Sequence, residues 1–165
     1  MYTPNQDIRD LNPSITDQVV ITQGATGKEL LYLQQAAILL ADKLNVFNQS
    51  VTISFNPPVC LDDSQHGVTI GLGEKLNKIF VMITNNLTIG EKLLTLAHEM
   101  VHVSQLYSRK LVFNKLEGGQ ICGEWDGEMF DNIKYSRRNP WEIEAHTDDK
   151  NLKDYVLNEL GNFIA

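Results

Sequence analysis

The sequence predicts an α+β fold with three helices, a small three-stranded sheet and a β-hairpin. Three segments repeat apolar residues at helical spacing behind capping residues. Three short runs rich in β-branched and apolar residues lie between the first and second of these segments, and paired turn residues follow the second. The 165 residues suffice for one domain with a substantial core.

Composition and charge narrow the class of protein. Hydrophobic residues make up 42% of the chain and charged residues 21%, and no run of eighteen apolar residues occurs, which is typical of a globular protein outside the membrane. The net charge of -7 argues against nucleic acid as the main partner. The N-terminus lacks the features of a secretory signal, so we expect a cytoplasmic protein. Cys60 and Cys122 form no C-x-x-C pair, which predicts free thiols.

The N-terminal part predicts an arm followed by a helix. Residues 1–25 are polar and carry two prolines, and we expect an irregular arm there, ahead of a single domain spanning 26–165. The first helix should begin after Thr26, with Glu29 as the reciprocal partner in a capping box, and end near Asn48.

Strands and the second helix follow. The predicted strands are VTISF at 51–55, VTIGLG at 68–73 and KIFVMIT at 78–84. Thr88 and Glu91 form a second capping-box pattern, and the apolar repeat behind them predicts a helix to about Tyr107.

The remainder of the chain predicts a hairpin and a last helix. Asp126 and Gly127 lie between short apolar runs, which is the strongest short-range signal for a β-hairpin. The last helix should have Asn139 as its N-cap, Pro140 as its first residue, and Gly161 just past its end.

The second helix carries TLAHEMVHVSQL, residues 95–106. His98 and His102 are four residues apart, so their imidazoles lie on one helix face and can bind one metal ion. Glu99 is turned aside from that face and can take a proton from a water molecule bound to the metal. Because these polar residues interrupt an apolar helix, burying them without partners would be costly, and a metal site is the simpler interpretation.

A third ligand is expected in NPWEIEAHTDD, residues 139–149. Glu142, Glu144 and His146 compete for the role, and neighbours two apart on a helix point to opposite sides. Glu142 occupies the N3 position, where it can serve as a capping-box partner, so we expect Glu144 to be the ligand. Asp148 lies one turn beyond Glu144 on the same face. Glu142 and His146 remain open as alternatives.

The motifs HEMVH and EAHTD together resemble the two zinc motifs of the gluzincin metallopeptidases, the thermolysin-like clan. The resemblance implies one zinc ion bound by His98, His102 and Glu144, with Glu99 as general base and Asp148 orienting a ligand histidine. It also implies the fold of a minimal zincin, similar to small HExxH proteins of phages and bacteria, and hence a phage or bacterial cytosolic protein.

The implied reaction is hydrolysis of a peptide bond in a peptide or protein substrate, through a zinc-bound water activated by Glu99. The oxyanion that forms from the attacked carbonyl needs a further hydrogen-bond donor. The candidates are Tyr135, His146 and Arg138, and Tyr107 and Arg137 are two more. One hypothesis is that the strand at 78–84 is the cleft edge that pairs with an extended peptide. The alternative is a central strand, which its nearly continuous hydrophobicity favours. The hairpin with Trp125 is a candidate for the other wall of the cleft, and the alternative is that Trp125 only covers the core. The sequence makes no prediction of oligomeric state.

Other classes of protein remain as alternatives. A metzincin is excluded, because Gln105 and Ser108 occupy the positions where that family needs glycine and histidine. A SprT-like protein would use a downstream histidine, which keeps His146 as a third ligand. A deformylase-like amidohydrolase would take a cysteine ligand from upstream, here Cys60. A catalytically silent module that binds zinc only for stability is the alternative outside the enzymes.

Overall fold

The structure is a computed structural model that describes residues 19–55, 65–71, 78–115, 118, 121–130 and 137–164. The described residues form three helices and two small sheets, a mixed α+β arrangement as predicted. The helices are α1 (Gly27–Lys43), α2 (Ile89–Tyr107) and α3 (Pro140–Leu160). The strands are β1 (Val19–Gln23), β2 (Ser50–Ser54), β3 (Gly67–Ile70), β4 (Lys78–Ile83), β5 (Leu111–Lys115), β6 (Ile121–Trp125) and β7 (Glu128–Phe130).

The first sheet has four strands in the order β1-β2-β4-β3. Strands β1, β2 and β4 are parallel, and β3 lies antiparallel to β4 at the edge. Alternate residues face opposite sides of a strand, and the inner face carries the buried row Ile21, Ile53 and Val81. The prediction of an irregular arm through residue 25 is therefore wrong for Val19–Gln23, which form a strand that pairs with β2.

Helices α1 and α2 pack against the first sheet and contribute further buried residues to the core. Leu33 and Leu40 of α1 are fully buried, as the apolar repeat predicts. The predicted Thr26 capping box does not form, because Glu29 instead accepts a 2.6 Å hydrogen bond from the buried Lys92 of α2. The helix also ends earlier than predicted, at Lys43, and Asn45 just beyond it has a positive φ.

The second sheet is the three-stranded meander β5-β6-β7. The predicted hairpin is confirmed: Asp126 and Gly127 both have positive φ and join β6 to β7. Strand β5, which pairs with β6, was not predicted from the sequence. Cys122 in β6 is buried and is a free thiol, as predicted, whereas Cys60 lies outside the described residues.

Helix α3 packs along α2 and has the predicted bounds, with Asn139 as N-cap and Gly161 at its end. The hydroxyl of Tyr32 in α1 donates a 2.9 Å hydrogen bond to the Gly161 carbonyl, which ties the end of α3 to the core. Within the described part of the chain, none of the helices has the length and apolar character needed to cross a membrane.

Candidate metal centre

Helix α2 carries the HEMVH motif on a rigid and mostly buried support. Its start is held by the predicted capping box, in which Thr88 N donates to Glu91 Oε2 at 2.8 Å and Glu91 N donates to Thr88 Oγ1 at 3.3 Å. The helix then packs between the first sheet and α3, and Leu96 and Met100 are fully buried. This packing fixes the side on which His98 and His102 emerge.

Three donor groups converge between α2 and α3. Glu142 Oε2 lies 3.1 Å from His98 Nε2, and Glu142 Oε1 lies 3.1 Å from His102 Nε2. Ligand atoms of these three residues all lie within 4.8 Å of one another. The side chains of all three are largely buried, with 12%, 9% and 8% of His98, His102 and Glu142 exposed.

The other ring nitrogen of each histidine has its own partner. His98 Nδ1 lies 3.2 Å from Asp149 Oδ2, and His102 Nδ1 lies 2.8 Å from Gln105 Oε1. Gln105 Nε2 donates to the Trp141 carbonyl at 3.0 Å, which leaves its Oε1 to accept from His102. Both histidines therefore donate from Nδ1 and present Nε2 toward Glu142, the tautomer that oxygen partners of this kind select in metal sites.

The donor set fits a zinc ion. Zinc prefers nitrogen and oxygen ligands at about 2.0–2.2 Å in a tetrahedron, which places neighbouring ligand atoms about 3.3 Å apart. The two 3.1 Å separations from Glu142 to the histidines are close to that value. Three protein ligands would leave a fourth position open, as in catalytic rather than structural zinc sites.

Electrostatics in this cluster favour positive charge. Burial alone would lower the pKa of His102, but the hydrogen bond that it donates to Glu142 and the charge of Glu99 raise it to about 9. Burial alone would raise the pKa of Glu142, yet its contacts with His102 and His98 hold it at about 2. The carboxylate is thus ionised at neutral pH, and the site stabilises a cation next to it.

Glu99 lies beside the histidines under strand β3. The residue is 4% exposed, and its carboxylate accepts a 2.6 Å hydrogen bond from Thr69 Oγ1. Burial raises the pKa of Glu99, while the neighbouring His102 and His98 act in the opposite direction. The residue thus combines proximity to the donor cluster with a raised proton affinity, which suits a general base.

The cluster lies in a cleft of about 480 Å³. One wall is β3, represented by Gly67, Val68 and Thr69. The opposite wall, called here the apolar wall, consists of Leu106, Leu111, Phe113 and Trp141. Trp125 does not line the cleft; its ring contacts Trp141 from behind at 6.4 Å between centroids. Trp125 is therefore not part of this wall, contrary to the hypothesis from the sequence. Strand β5 contributes Leu111 and Phe113 to it instead.

The predicted third ligand Glu144 is not brought to the histidines. Its carboxylate accepts from Lys110 Nζ and, at 3.2 Å, from Gln105 Nε2. The hydrogen bond from Lys110 to Glu144, with the charge of Asp148 at longer range, raises the pKa of Lys110. Glu144 is thus held by Lys110 and Gln105, whereas Glu142 and Asp149 are the acidic residues of α3 that contact the histidines.

The capping box expected at the start of α3, which set Glu142 aside as a ligand, does not form. The Asn139 side chain makes no capping hydrogen bond, so Glu142 is not needed as its reciprocal partner. The buried stripe of α3 was the better signal, formed by Trp141, Ala145, Leu152, Val156 and Leu160. At about 100° per residue, Glu142 and Asp149 lie within about 60° of the centre of that stripe, whereas Glu144 lies about 100° away.

The predicted oxyanion donors differ in position. His146 lines the cleft, and its ring lies 4.4 Å from that of His98 between centroids. His146, His98 and Asp149 form a second group whose ligand atoms lie within 4.8 Å of one another. Arg137 also lines the cleft, whereas Arg138 and Tyr107 are not part of its lining. Tyr135 lies outside the described residues.

Comparisons with known proteins found no match: no family model, no curated protein and no solved structure is similar to this chain.

Proposed function

We propose that this protein is a zinc-dependent peptidase in which His98, His102 and Glu142 bind one zinc ion and Glu99 is the general base. The observation that carries the proposal is the convergence of two Nε2 atoms and one carboxylate next to a buried glutamate inside a cleft. The two outer partners, Asp149 and Gln105, support it, because each holds a histidine in the tautomer that leaves Nε2 for the metal.

The chemistry divides between the ion and the chain. A zinc ion in this site supplies Lewis acidity and a water of lowered pKa. Glu99 is placed to accept the proton of an attacking water and later to give it to the departing amine nitrogen. Its buried position keeps bulk water away from the carboxylate, which strengthens its electrostatic interaction with the nearby histidines.

Among the predicted donors, His146 has the position that best supports an oxyanion role. It lies in the cleft one turn beyond Glu142, and 39% of its side chain is exposed. Burial and the charge of His98 lower the pKa of His146, which favours a neutral imidazole able to donate one hydrogen bond. Arg137 is the second donor on this side of the cleft.

The substrate that fits this cleft is an extended peptide lying along β3. Strand 78–84 is central rather than at the edge, as its hydrophobicity favoured, because β4 pairs with β2 on one side and β3 on the other. Strand β3 ends the sheet and lines the cleft, so its main chain is placed to pair with a peptide. A side chain of the peptide that meets the apolar wall should be apolar too.

This arrangement supports the layout of a minimal zincin as part of the proposal. A sheet with an antiparallel edge strand packs on the HEMVH helix, and a later helix brings a glutamate to the two histidines. Glu142 completes the donor set without a cysteine, so the observed contacts favour the peptidase over the deformylase-like alternative with Cys60.

Metal analysis combined with a hydrolysis assay tests the proposal. Protein purified without chelator should contain one zinc per chain and cleave members of a fluorescence-quenched peptide library. Glu99→Gln should retain zinc and lose activity by about 10²- to 10⁴-fold, the usual contribution of a general base. Glu159→Gln, the same change at an exposed position far along α3, is the control.

Two results would count against the proposal. A zinc content well below one equivalent per chain would contradict the proposed metal site. Full activity in Glu99→Gln would contradict the assignment of Glu99 as the base. Stoichiometric zinc in a wild-type protein that cleaves no peptide would instead favour the silent zinc-stabilised module.

A further inference from the structure

Strand β3 makes a side-chain contact with the proposed base. Thr69 Oγ1 donates to Glu99 Oε2 at 2.6 Å and lies 3.2 Å from the Glu99 main-chain carbonyl oxygen. Both acceptor oxygens belong to Glu99. The single hydroxyl proton of Thr69 is therefore donated to Glu99 in either case. The partner of Glu99 therefore comes from the cleft wall rather than from its own helix.

Gly67 lies two residues before Thr69 on the same face of β3. Their partners in β4, Ile83 and Val81, are both buried, which places Gly67 and Thr69 on the inner side of the sheet. A Cβ at position 67 would lie 2.8 Å from Glu99 Oε1 and 2.9 Å from its Cγ. Glycine at this position leaves room for the carboxylate, and no special backbone angle is involved.

The two residues restrict both oxygens of the carboxylate. Oε2 is held by the Thr69 hydroxyl, and Oε1 faces the space that Gly67 leaves open. A long glutamate side chain has several rotamers, and holding one of them lowers the entropic cost of reaching the geometry for proton transfer.

We propose that Thr69 is a positioning residue for Glu99: its hydroxyl aims the Glu99 carboxylate into the cleft, in the space that Gly67 provides. This inference rests on the proposed function, in which Glu99 is the base. It adds that the strand expected to bind the peptide also sets the geometry of the base. Thr69 itself touches neither the metal ligands nor the reacting atoms in this scheme.

The test compares Thr69→Val, which removes the hydroxyl at constant shape, with Thr69→Ser, which keeps it. For one cleaved peptide, kcat of Thr69→Val should fall about ten- to a hundredfold, the range for losing a hydrogen bond to a charged group. KM and the zinc dissociation constant should change less than about threefold, since the main chain and metal ligands are untouched. Thr69→Ser should recover most of kcat.

Thr52→Val is the matched control. Thr52 lies in β2 of the same sheet, in register with the exposed Phe80 on the outer face and away from the cleft. It should keep the wild-type kcat. A second variant, Gly67→Ala, displaces the same carboxylate at its other oxygen, Oε1, and should also lower kcat while zinc stays bound.

A crystal structure of zinc-free Thr69→Val gives a readout independent of activity. A Glu99 carboxylate that has turned away from its place beside Gly67 supports the inference, and one that stays in place overturns it. Equal kcat in Thr69→Val and wild type, or loss of zinc in Thr69→Val, also overturns it. If the wild type cleaves no peptide, the proposed function fails, and the crystal structure still decides whether Thr69 positions Glu99.

Discussion

The choice between Glu142 and Glu144 as third ligand can be decided by two matched substitutions. Glu142→Gln keeps the size of the side chain and removes the charge that lies 3.1 Å from both Nε2 atoms. Glu144→Gln makes the same chemical change at a residue that reaches His102 only through Gln105. The two variants therefore separate a direct ligand from a more distant partner on the same helix.

The expected magnitudes follow from these contacts. Removing an outer partner of a metal ligand typically costs about 10- to 100-fold in affinity. A direct ligand should cost more, so we expect Glu142→Gln to weaken zinc binding by more than about 100-fold, or about 2.7 kcal/mol. Glu144 is one step further out than Gln105, so Glu144→Gln should weaken it by less than about tenfold.

Competition against a fluorescent zinc chelator measures both dissociation constants, and circular dichroism verifies that each variant is folded. The reasoning would be refuted by a Glu142→Gln variant that binds zinc as the wild type does. A larger loss in Glu144→Gln than in Glu142→Gln would return the ligand role to Glu144. His146→Ala tests the alternative ligand group of His98, His146 and Asp149, and this variant should bind zinc about as the wild type does if Glu142 is the third ligand.

Three further predictions concern the support of the site and the stability of the fold. Gln105→Leu removes the acceptor for His102 Nδ1 and should weaken zinc binding by about 10- to 100-fold in the same competition assay, with no loss of helix. Leu40→Ala should lower the free energy of unfolding, measured with urea, by about 2–5 kcal/mol, because Leu40 is fully buried in α1. The control is Leu31→Ala, at a position of the same helix that is 40% exposed, which should change this free energy by less than about 0.5 kcal/mol. Gly127→Val should cost about 1–3 kcal/mol, since φ is 84° there, and Gly127→Asn should cost less; equal costs would contradict a conformational origin.

The helices and most strands could be predicted because their signals are local. The capping box at Thr88 and Glu91 marks the start of α2, and the Asp126–Gly127 pair marks the tight hairpin turn. Both signals act between residues that are neighbours in sequence, so the rest of the fold changes them little. Strand β1 had no such signal, because Val19–Gln23 are held by pairing with β2 some thirty residues later.

Capping patterns were unreliable where a tertiary partner competed for the same side chain. Glu29 bonds Lys92 of another helix instead of its own helix start. Glu142 likewise turns to two histidines of α2 rather than to the N-cap of α3. In both cases a charged partner on a neighbouring helix offers a stronger interaction than an exposed main-chain amide.

By itself the sequence determined the position and spacing of His98, Glu99 and His102, because the pitch of a single helix places two residues four apart on one face. It also predicted that a residue near the start of α3, one of Glu142, Glu144 and His146, would meet them. Only the tertiary structure decided that this residue is Glu142, since the packing of α3 on α2 sets which side of α3 faces the histidines. The same packing of β3 on α2 decided that Thr69 contacts Glu99, because a contact between a strand and a helix depends on the sheet order and leaves no pattern in either segment alone.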